Sequence, residues 1–328
     1  MTILVTGGAG YIGSHTCKEL AKEGFKPVVF DNLSQGHEEF VKWGPLEKGN
    51  LLDSKCIEEA IVKHNPQAIV HFAASAYVVE SVEDPLKYYE NNVLATFNLL
   101  KACLKQGVKK VIFSSTCAIF GTPKRIPIKE EDLKAPINPY GKTKWIIEQM
   151  LQDFDHAYAM KSISLRYFNA SGSDLEGEIG ERHEPETHLI PLTIATALGK
   201  REKLTVYGDD FPTADGSAVR DYIHVSDLAY AHLLALKKLL KEEKSDAFHL
   251  GCGRGISVFE IIKAVEEATG KKLPLAIAAR RKGEPAILIA STEKTKRELG
   301  FKAKHSSIKS IVESAYRWQA NELQTLRL

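Results

Sequence analysis

The chain has 328 residues, 44% of them hydrophobic and 26% charged, which is enough to bury one large core or a main domain with a smaller companion. With 44 Lys+Arg against 42 Asp+Glu, the formal charge of +2 excludes the strong charge bias that draws proteins to nucleic acid or to anionic membranes. No apolar run is long enough to span a bilayer and no charged leader precedes Ile3-Leu4-Val5, so a cytoplasmic protein with no membrane or nucleic-acid partner is expected. The five cysteines (Cys17, Cys56, Cys103, Cys117, Cys252) are scattered and lack any C-x-x-C pair. They are read as reduced, with neither a disulfide framework nor a zinc site, and no metal is expected. Basic runs such as Arg280-Arg281-Lys282 read as local solvated features.

Thr2-Ile3-Leu4-Val5-Thr6 reads as a short strand that enters Gly7-Gly8-Ala9-Gly10-Tyr11-Ile12-Gly13-Ser14, with Cys17 to Lys22 as helix. Glycines at 7, 10 and 13 allow a tight turn, close approach of a pyrophosphate, and packing of the new helix on the sheet. The first amides of that helix then face the anion. A lone glycine pattern is a weak signal, but this one follows a strand, opens a helix, and precedes a second strand, Pro27-Val28-Val29-Phe30, that ends at Asp31. A carboxylate at that point accepts hydrogen bonds from a ribose and repels a 2′-phosphate. No arginine stands in Asn32-Leu33-Ser34-Gln35-Gly36, so NAD is expected rather than NADP.

The alternation of strand and helix continues. Pro45 to Asn50 reads as a short strand and its exit, followed by a helix from Asp53, a good N-cap, to about His64. Ala68-Ile69-Val70-His71-Phe72 is an apolar strand whose exit, Ala73-Ala74-Ser75-Ala76, is small enough for a coenzyme to lie against the backbone. His71 has no metal-type partner at a useful spacing and is assigned no chemistry. A long helix is expected from near Pro85 to Lys105, with Asn91 and Asn92 toward the site and Leu94, Phe97, Leu100 and Leu104 as an apolar stripe. Val108 to Phe113 is the fifth strand, and it delivers Ser114-Ser115-Thr116 at its carboxyl end, where open α/β sheets place their ligands.

Pro139-Tyr140-Gly141-Lys142-Thr143-Lys144 then opens a helix. Tyr140 and Lys144, four apart, project from one face. Taken alone, that spacing equally describes an amphipathic surface pair. After the dinucleotide turn and the Ser114–Thr116 hydroxyls it reads as a proton-handling group, in which a nearby ammonium favours the phenolate and lowers the tyrosine pKa.

The turn at Thr6–Ser14, Ser114-Ser115-Thr116, Tyr140-x-x-x-Lys144 and Arg166-Tyr167-Phe168-Asn169 occur in one order, and together they resemble the extended short-chain dehydrogenase/reductase superfamily. Asn138-Pro139-Tyr140-Gly141-Lys142, His188-Leu189-Ile190-Pro191, Val206 to Thr213 and Val219 to Val225 resemble its UDP-sugar 4-epimerase family. The likeness covers nearly the whole chain. It implies an α/β fold, a doubly wound parallel Rossmann-type sheet with a second, smaller α/β domain, and interconversion of UDP-galactose and UDP-glucose by an isomerase that holds NAD tightly. It implies Tyr140 as base, Lys144 as holder of the coenzyme ribose, and Thr116 as hydrogen-bond partner of the sugar 4-oxygen. The coenzyme residues it implies are Gly7, Gly10, Tyr11, Ile12, Gly13, Asp31, Asn32, Leu33, Ser34, Gly36, Asn50, Leu51, Phe72, Ala73, Ala74, Asn91, Ser114, Tyr167 and Phe168, together with Tyr140 and Lys144. Those for the UDP-sugar are Thr116, Asn169, His188, Leu189, Tyr207, Arg220, Arg281, Glu284 and Leu288. A homodimer is implied, with helices around Asn92–Lys105 and Lys144–Phe154 forming a four-helix interface.

Three positions depart from the common pattern: Asn50 for Asp, Ala76 for a lysine near the diphosphate, and Thr116 for Ser. None of them disables the chemistry. The NAD domain is expected over 1–169, with returns near 220–251, and the UDP-sugar domain over 170–328. A 4,6-dehydratase would need carboxylates after the threonine, where Cys117-Ala118 stands. UDP-N-acetylglucosamine and UDP-pentose 4-epimerases share the same C4 chemistry, and Leu288, smaller than a tyrosine, suggests that N-acetyl substrates are accepted. A non-catalytic NAD-binding regulator would be expected to have lost Tyr140, Lys144 or the Thr116 hydroxyl.

Overall fold

The computed structural model describes residues 1–281 and 283–325; Lys282 of the basic run and the last three residues lie outside the described residues. Seven strands form a parallel sheet: β1 (Thr2–Thr6), β2 (Lys26–Asp31), β3 (Leu46–Lys48), β4 (Ala68–His71), β5 (Lys110–Thr116), β6 (Lys161–Tyr167) and β10 (Asp246–Leu250). Their spatial order is β10-β6-β5-β4-β1-β2-β3. The order reverses direction at β1, between β2 and β4, and an open parallel sheet has its ligand crevice at such a point, outside the carboxyl ends of the strands.

The central strands are buried on both faces, as a sheet covered by helices requires, so alternate residues feed different cores. Ile3, Val5, Val29, Val70 and Ile112 meet helices α1 (Tyr11–Lys22) and α8 (Val225–Glu242) through Leu20, Leu233 and Leu236. Leu4, Val28, Phe30, Ile69, Val111 and Phe113 face Ile57, Leu99, Ile147 and Leu151. Those four belong to α2 (Ser54–His64), α5 (Ala95–Lys105) and α6 (Pro139–Tyr158). The Asp53 side chain accepts from the amides of Lys55 and Cys56 at the start of α2, and Asn138 accepts from Gly141 N at 2.8 Å at the start of α6, where Pro139 takes the first helical position.

A four-stranded sheet contains β7 (Asn169–Ser171), β9 (Val219–His224), β11 (Gly255–Ser257) and β13 (Ile287–Leu288), and β8 (Leu204–Tyr207) pairs with β12 (Leu275–Ala278). A third core joins α7 (Leu189–Ala197), α9 (Val258–Thr269) and α10 (Ile308–Thr325) to β8 and β9. Of the segment expected to return to the first domain, α8 and β10 pack on the large sheet, whereas β9, which carries Arg220, lies in the small one.

Several element expectations are corrected. Ser114–Thr116 lie within β5, paired with β6 up to Thr116↔Tyr167, and do not follow the strand. The Pro85–Lys105 segment is helical throughout, as expected, but contains a wide π-type turn over Tyr89–Leu94 between α4 (Pro85–Tyr88) and α5. A short α3 (Val78–Glu83) precedes them. The wide turn carries Asn91 and Asn92, and both bond Ser75: Asn91 Nδ2 donates to its hydroxyl, while Asn92 accepts from its amide and donates to its carbonyl. Leu100 is buried on the expected stripe, but Leu94 and Phe97 are 48% and 43% exposed. The five cysteines are free thiols.

Candidate active site

At the crevice, β1 passes through Gly7 (φ +72°) into α1. A Cβ on Gly7 would stand 2.6 Å from Ala73 N, and one on Gly13 would stand 2.2 Å from the Gly7 carbonyl oxygen, so glycine is required at both for the turn, the β4 exit and α1 to pack this closely. Helix α1 starts from an extended Gly10 with no side-chain cap, which leaves its first-turn amides for an anion. Ile12 sits in that turn. The Tyr11 side chain is committed elsewhere, its hydroxyl donating to Gly172 O at 2.5 Å.

Asp31, at the end of β2, accepts from Ala9 N at 3.0 Å and Leu33 N at 2.9 Å. Each carboxylate oxygen retains a further lone pair for a hydroxyl. Burial raises the Asp31 pKa, opposed by these amide bonds. Leu33 adopts φ +59°, Ser34 N bonds the Asn32 side chain at 3.0 Å, and Gly36 passes so close that its Cβ would meet Asp31 Oδ1 at 2.9 Å. Asn50 uses its side-chain oxygen to accept from Leu52 N at 2.9 Å, and Leu51 between them is buried. Phe72, Ala73 and Ala74 form the β4 exit beside Gly7. These groups fit a dinucleotide: close glycine backbone, free helix-terminal amides, and a carboxylate one strand away.

Farther along the same edge, Tyr140 stands beside Thr116, whose hydroxyl favours the phenolate and whose Oγ1 accepts from Ala118 N at 3.1 Å. Lys144 is 3% exposed; its Nζ donates to Ser114 O at 2.9 Å and lies 6.0 Å from the Tyr140 ring centre. The Ser114 hydroxyl bonds the Tyr167 phenol. Tyr140, Lys144, Thr116, Ser114 and Tyr167 are thus brought together by α6, β5 and β6.

The expected lowering of the tyrosine pKa is not what this geometry gives. Burial, and then Tyr167, push the Tyr140 phenol above its ordinary value, with only the Thr116 hydrogen bond opposing. Burial lowers Lys144 to about 7, so its own charge is weakened in a site that offers it a carbonyl and no carboxylate.

The other candidate residues lie beyond the end of β6. Phe168 packs with Cys117, Ile119 and Phe120, and half-buried Leu288 leans on the same cluster. Asn169 opens β7, opposite Tyr222 of β9. Arg220 is paired with Glu284 at 2.9 Å, and the Arg281 guanidinium lies 4.2 Å over the Tyr207 ring. Leu189 begins α7, with His188 as its N-cap residue.

His188 is held by carboxylates. Its Nδ1 is 2.8 Å from Glu186 and 3.1 Å from Glu181, and against burial these carboxylates raise it to about 10. Glu181, His183 and Glu186 were not singled out in the sequence, although the spacing E-x-H-x-x-E-x-H was legible. A buried triad behind the site was also missed: Glu148 accepts from Arg166 through both oxygens, at 2.9 and 2.6 Å, and from the Ser115 hydroxyl at 2.5 Å. Strand alternation could have found it, since Ser115 and Arg166 face away from Ser114 and Tyr167. His71 bonds Thr6 at 2.6 Å and Thr96 at 2.8 Å, which accounts for both ring nitrogens.

Residues 3–251 match the family described as NAD dependent epimerase/dehydratase. The UDP-glucose 4-epimerase of Rhizobium meliloti (strain 1021) is 51% identical over 322 residues, 98% of each chain. A crystal structure of UDP-glucose 4-epimerase from Brucella ovis in complex with NAD superposes with a TM-score of 0.94 at 50% identity, covering 96% of this chain and 97% of that one. One from Bifidobacterium longum in complex with NAD+ and UDP gives a TM-score of 0.94 at 38% identity, covering 98% and 99%. No helix among the described residues is long and apolar enough to cross a membrane. The chain therefore belongs to the NAD dependent epimerase/dehydratase family, and within it groups with the UDP-glucose 4-epimerases.

Proposed function

We propose that the chain is a cytoplasmic NAD-dependent UDP-glucose 4-epimerase that interconverts UDP-galactose and UDP-glucose. The observation that carries the reading is Tyr140 beside the Thr116 hydroxyl at the sheet edge, one helical turn from a buried Lys144, with the dinucleotide turn on the same edge. Bound NAD supplies reversible two-electron exchange at the sugar C4. Tyr140 takes the proton of the 4-hydroxyl and later returns it, Thr116 holds the 4-oxygen, and Lys144 grips the coenzyme ribose. Arg220, Arg281, Asn169, His188 and Leu189 anchor the nucleotide, with Tyr207 and Glu284 supporting the two arginines. Firm anchoring of the remote UDP leaves the hexose free to present its other face, which C4 inversion requires. Proton NMR of purified protein with UDP-galactose and no added coenzyme should show UDP-glucose accumulating; no change even after NAD is supplied would overturn the reading.

Leu288, in the cluster beside Phe168 and Cys117, supports a second activity on N-acetylated substrates, because a leucine leaves more room than an aromatic ring. The same assay with UDP-N-acetylglucosamine checks it, and absence of conversion removes it.

The exposed Leu94, at the end of the wide turn, and Phe97, on α5, support a homodimer built on α5 and α6. Sedimentation velocity at micromolar concentration should give a dimer, and Phe97→Glu should shift it to monomer. A monomeric wild type would count against the interface.

A further inference from the structure

Glu181, His183, Glu186 and His188 lie on the strap that joins β7 to α7, and one donor atom from each falls within 4.8 Å of the others. His183 Nδ1 stands 3.4 Å from Glu181 Oε1 and 3.4 Å from Glu186 Oε2, and His188 Nδ1 stands 3.1 Å from Glu181 Oε1 and 2.8 Å from Glu186 Oε1. Donors bound to a tetrahedral zinc-class ion at about 2.0–2.2 Å are separated by about 3.3–3.6 Å. The two separations to His183 are those of a coordination shell, too long for strong hydrogen bonds, and its Nδ1 is buried without a hydrogen-bond partner.

We propose that these four residues bind a divalent transition-metal ion of the zinc class, an activity separate from the epimerisation. Two carboxylates and two neutral imidazoles give a donor set that a dication neutralises, and the nitrogen donors disfavour magnesium and calcium. The rings of Tyr11 and Tyr77 stand edge-on to His183, each 6.1 Å between centres, and shield one side.

The other acidic group of the strap, Asp174, Glu176 and Glu178, already surrounds Lys18 Nζ at 2.8, 2.5 and 2.5 Å, so a side-chain cation fills it. The proposed ion acts as a clasp. Near the cluster, besides the Lys18 pairs, the strap is tied to the first domain by a few polar contacts: His37 to Arg182 O at 3.1 Å, Gln35 to Glu184 O at 3.5 Å, and the Arg182–Glu39 ion pair. Coordination through Nδ1 leaves His188 Nε2 available to the nucleotide.

The test is titration of the tag-free, full-length protein with cobalt(II) after dialysis against a chelator. Expected are about one equivalent bound per chain, the intense visible absorption of four-coordinate cobalt, and its loss on adding one equivalent of zinc. His183→Ala should abolish the signal with the far-UV circular dichroism retained; Glu186→Gln serves as the second ligand deletion if that variant does not fold. Wild-type protein that binds no cobalt, or shows only the weak bands of six-coordinate cobalt, overturns the proposal, as does unchanged binding in the folded variant.

Discussion

Tyr140→Phe should lower the rate of UDP-galactose conversion by about 10²–10⁴-fold, the contribution of a positioned proton-transfer group, while the protein stays folded. The variant keeps the ring and loses only an oxygen beside Thr116, whose hydroxyl still has the Ala118 amide; at most one hydrogen bond is removed. Loss of one such hydrogen bond is worth about 0.5–1.5 kcal/mol, too little to unfold a chain of this size. The two effects separate cleanly: proton NMR reads the conversion, and thermal unfolding reads the fold. A Phe variant that turns over within a few-fold of wild type would move the base to another residue.

Lys144→Met should reduce turnover by a comparable factor and yet raise the stability of the nucleotide-free protein at neutral and acidic pH. The sign follows from burial. Burial depresses the Lys144 pKa from its ordinary 10.5 to about 7, so the folded state binds this proton less well than the unfolded state does. Between those values the unfolded chain carries the extra proton, stability rises with pH, and below about pH 7 the full penalty, on the order of a few kcal/mol, is present. Methionine removes that penalty and occupies similar volume beside Phe113 and Tyr140. Unfolding temperatures should therefore differ by several degrees at pH 6 and converge toward pH 10. A variant less stable than wild type across this range would show that the ammonium is a net stabilising group. A site that keeps a destabilising lysine is consistent with selection for chemistry over stability.

Much of the first domain was legible because its signals are local. The run Thr2–Thr6, the glycine turn, the N-cap Asp53 and the helix start at Pro139 depend on neighbours within a few residues, and the structure has each of them. Asp31 was legible too, since a strand end is marked by where its apolar run stops. The long helix was legible as a whole, but its wide turn at Tyr89–Leu94 was not, because that turn is associated with bonds to Ser75, outside the helix. Leu94 and Phe97 fit a helical stripe equally well whether it faces the core or the solvent, so periodicity could not tell them from Leu100.

Sequence by itself determined the order of the main elements of the first domain, the dinucleotide turn, and the register that puts Tyr140 and Lys144 on one helical face, because backbone preferences and side-chain spacing are decided within a turn or a strand. Tertiary structure alone decided what surrounds those groups. It put the Lys144 ammonium on a carbonyl in a dry site, joined Arg166 to Glu148 behind it, placed Arg220 in the small sheet, and folded a strap so that two glutamates and two histidines converge. The physical reason is that desolvation and charge pairing depend on which distant segments share a low-dielectric space, and packing of the whole chain sets that.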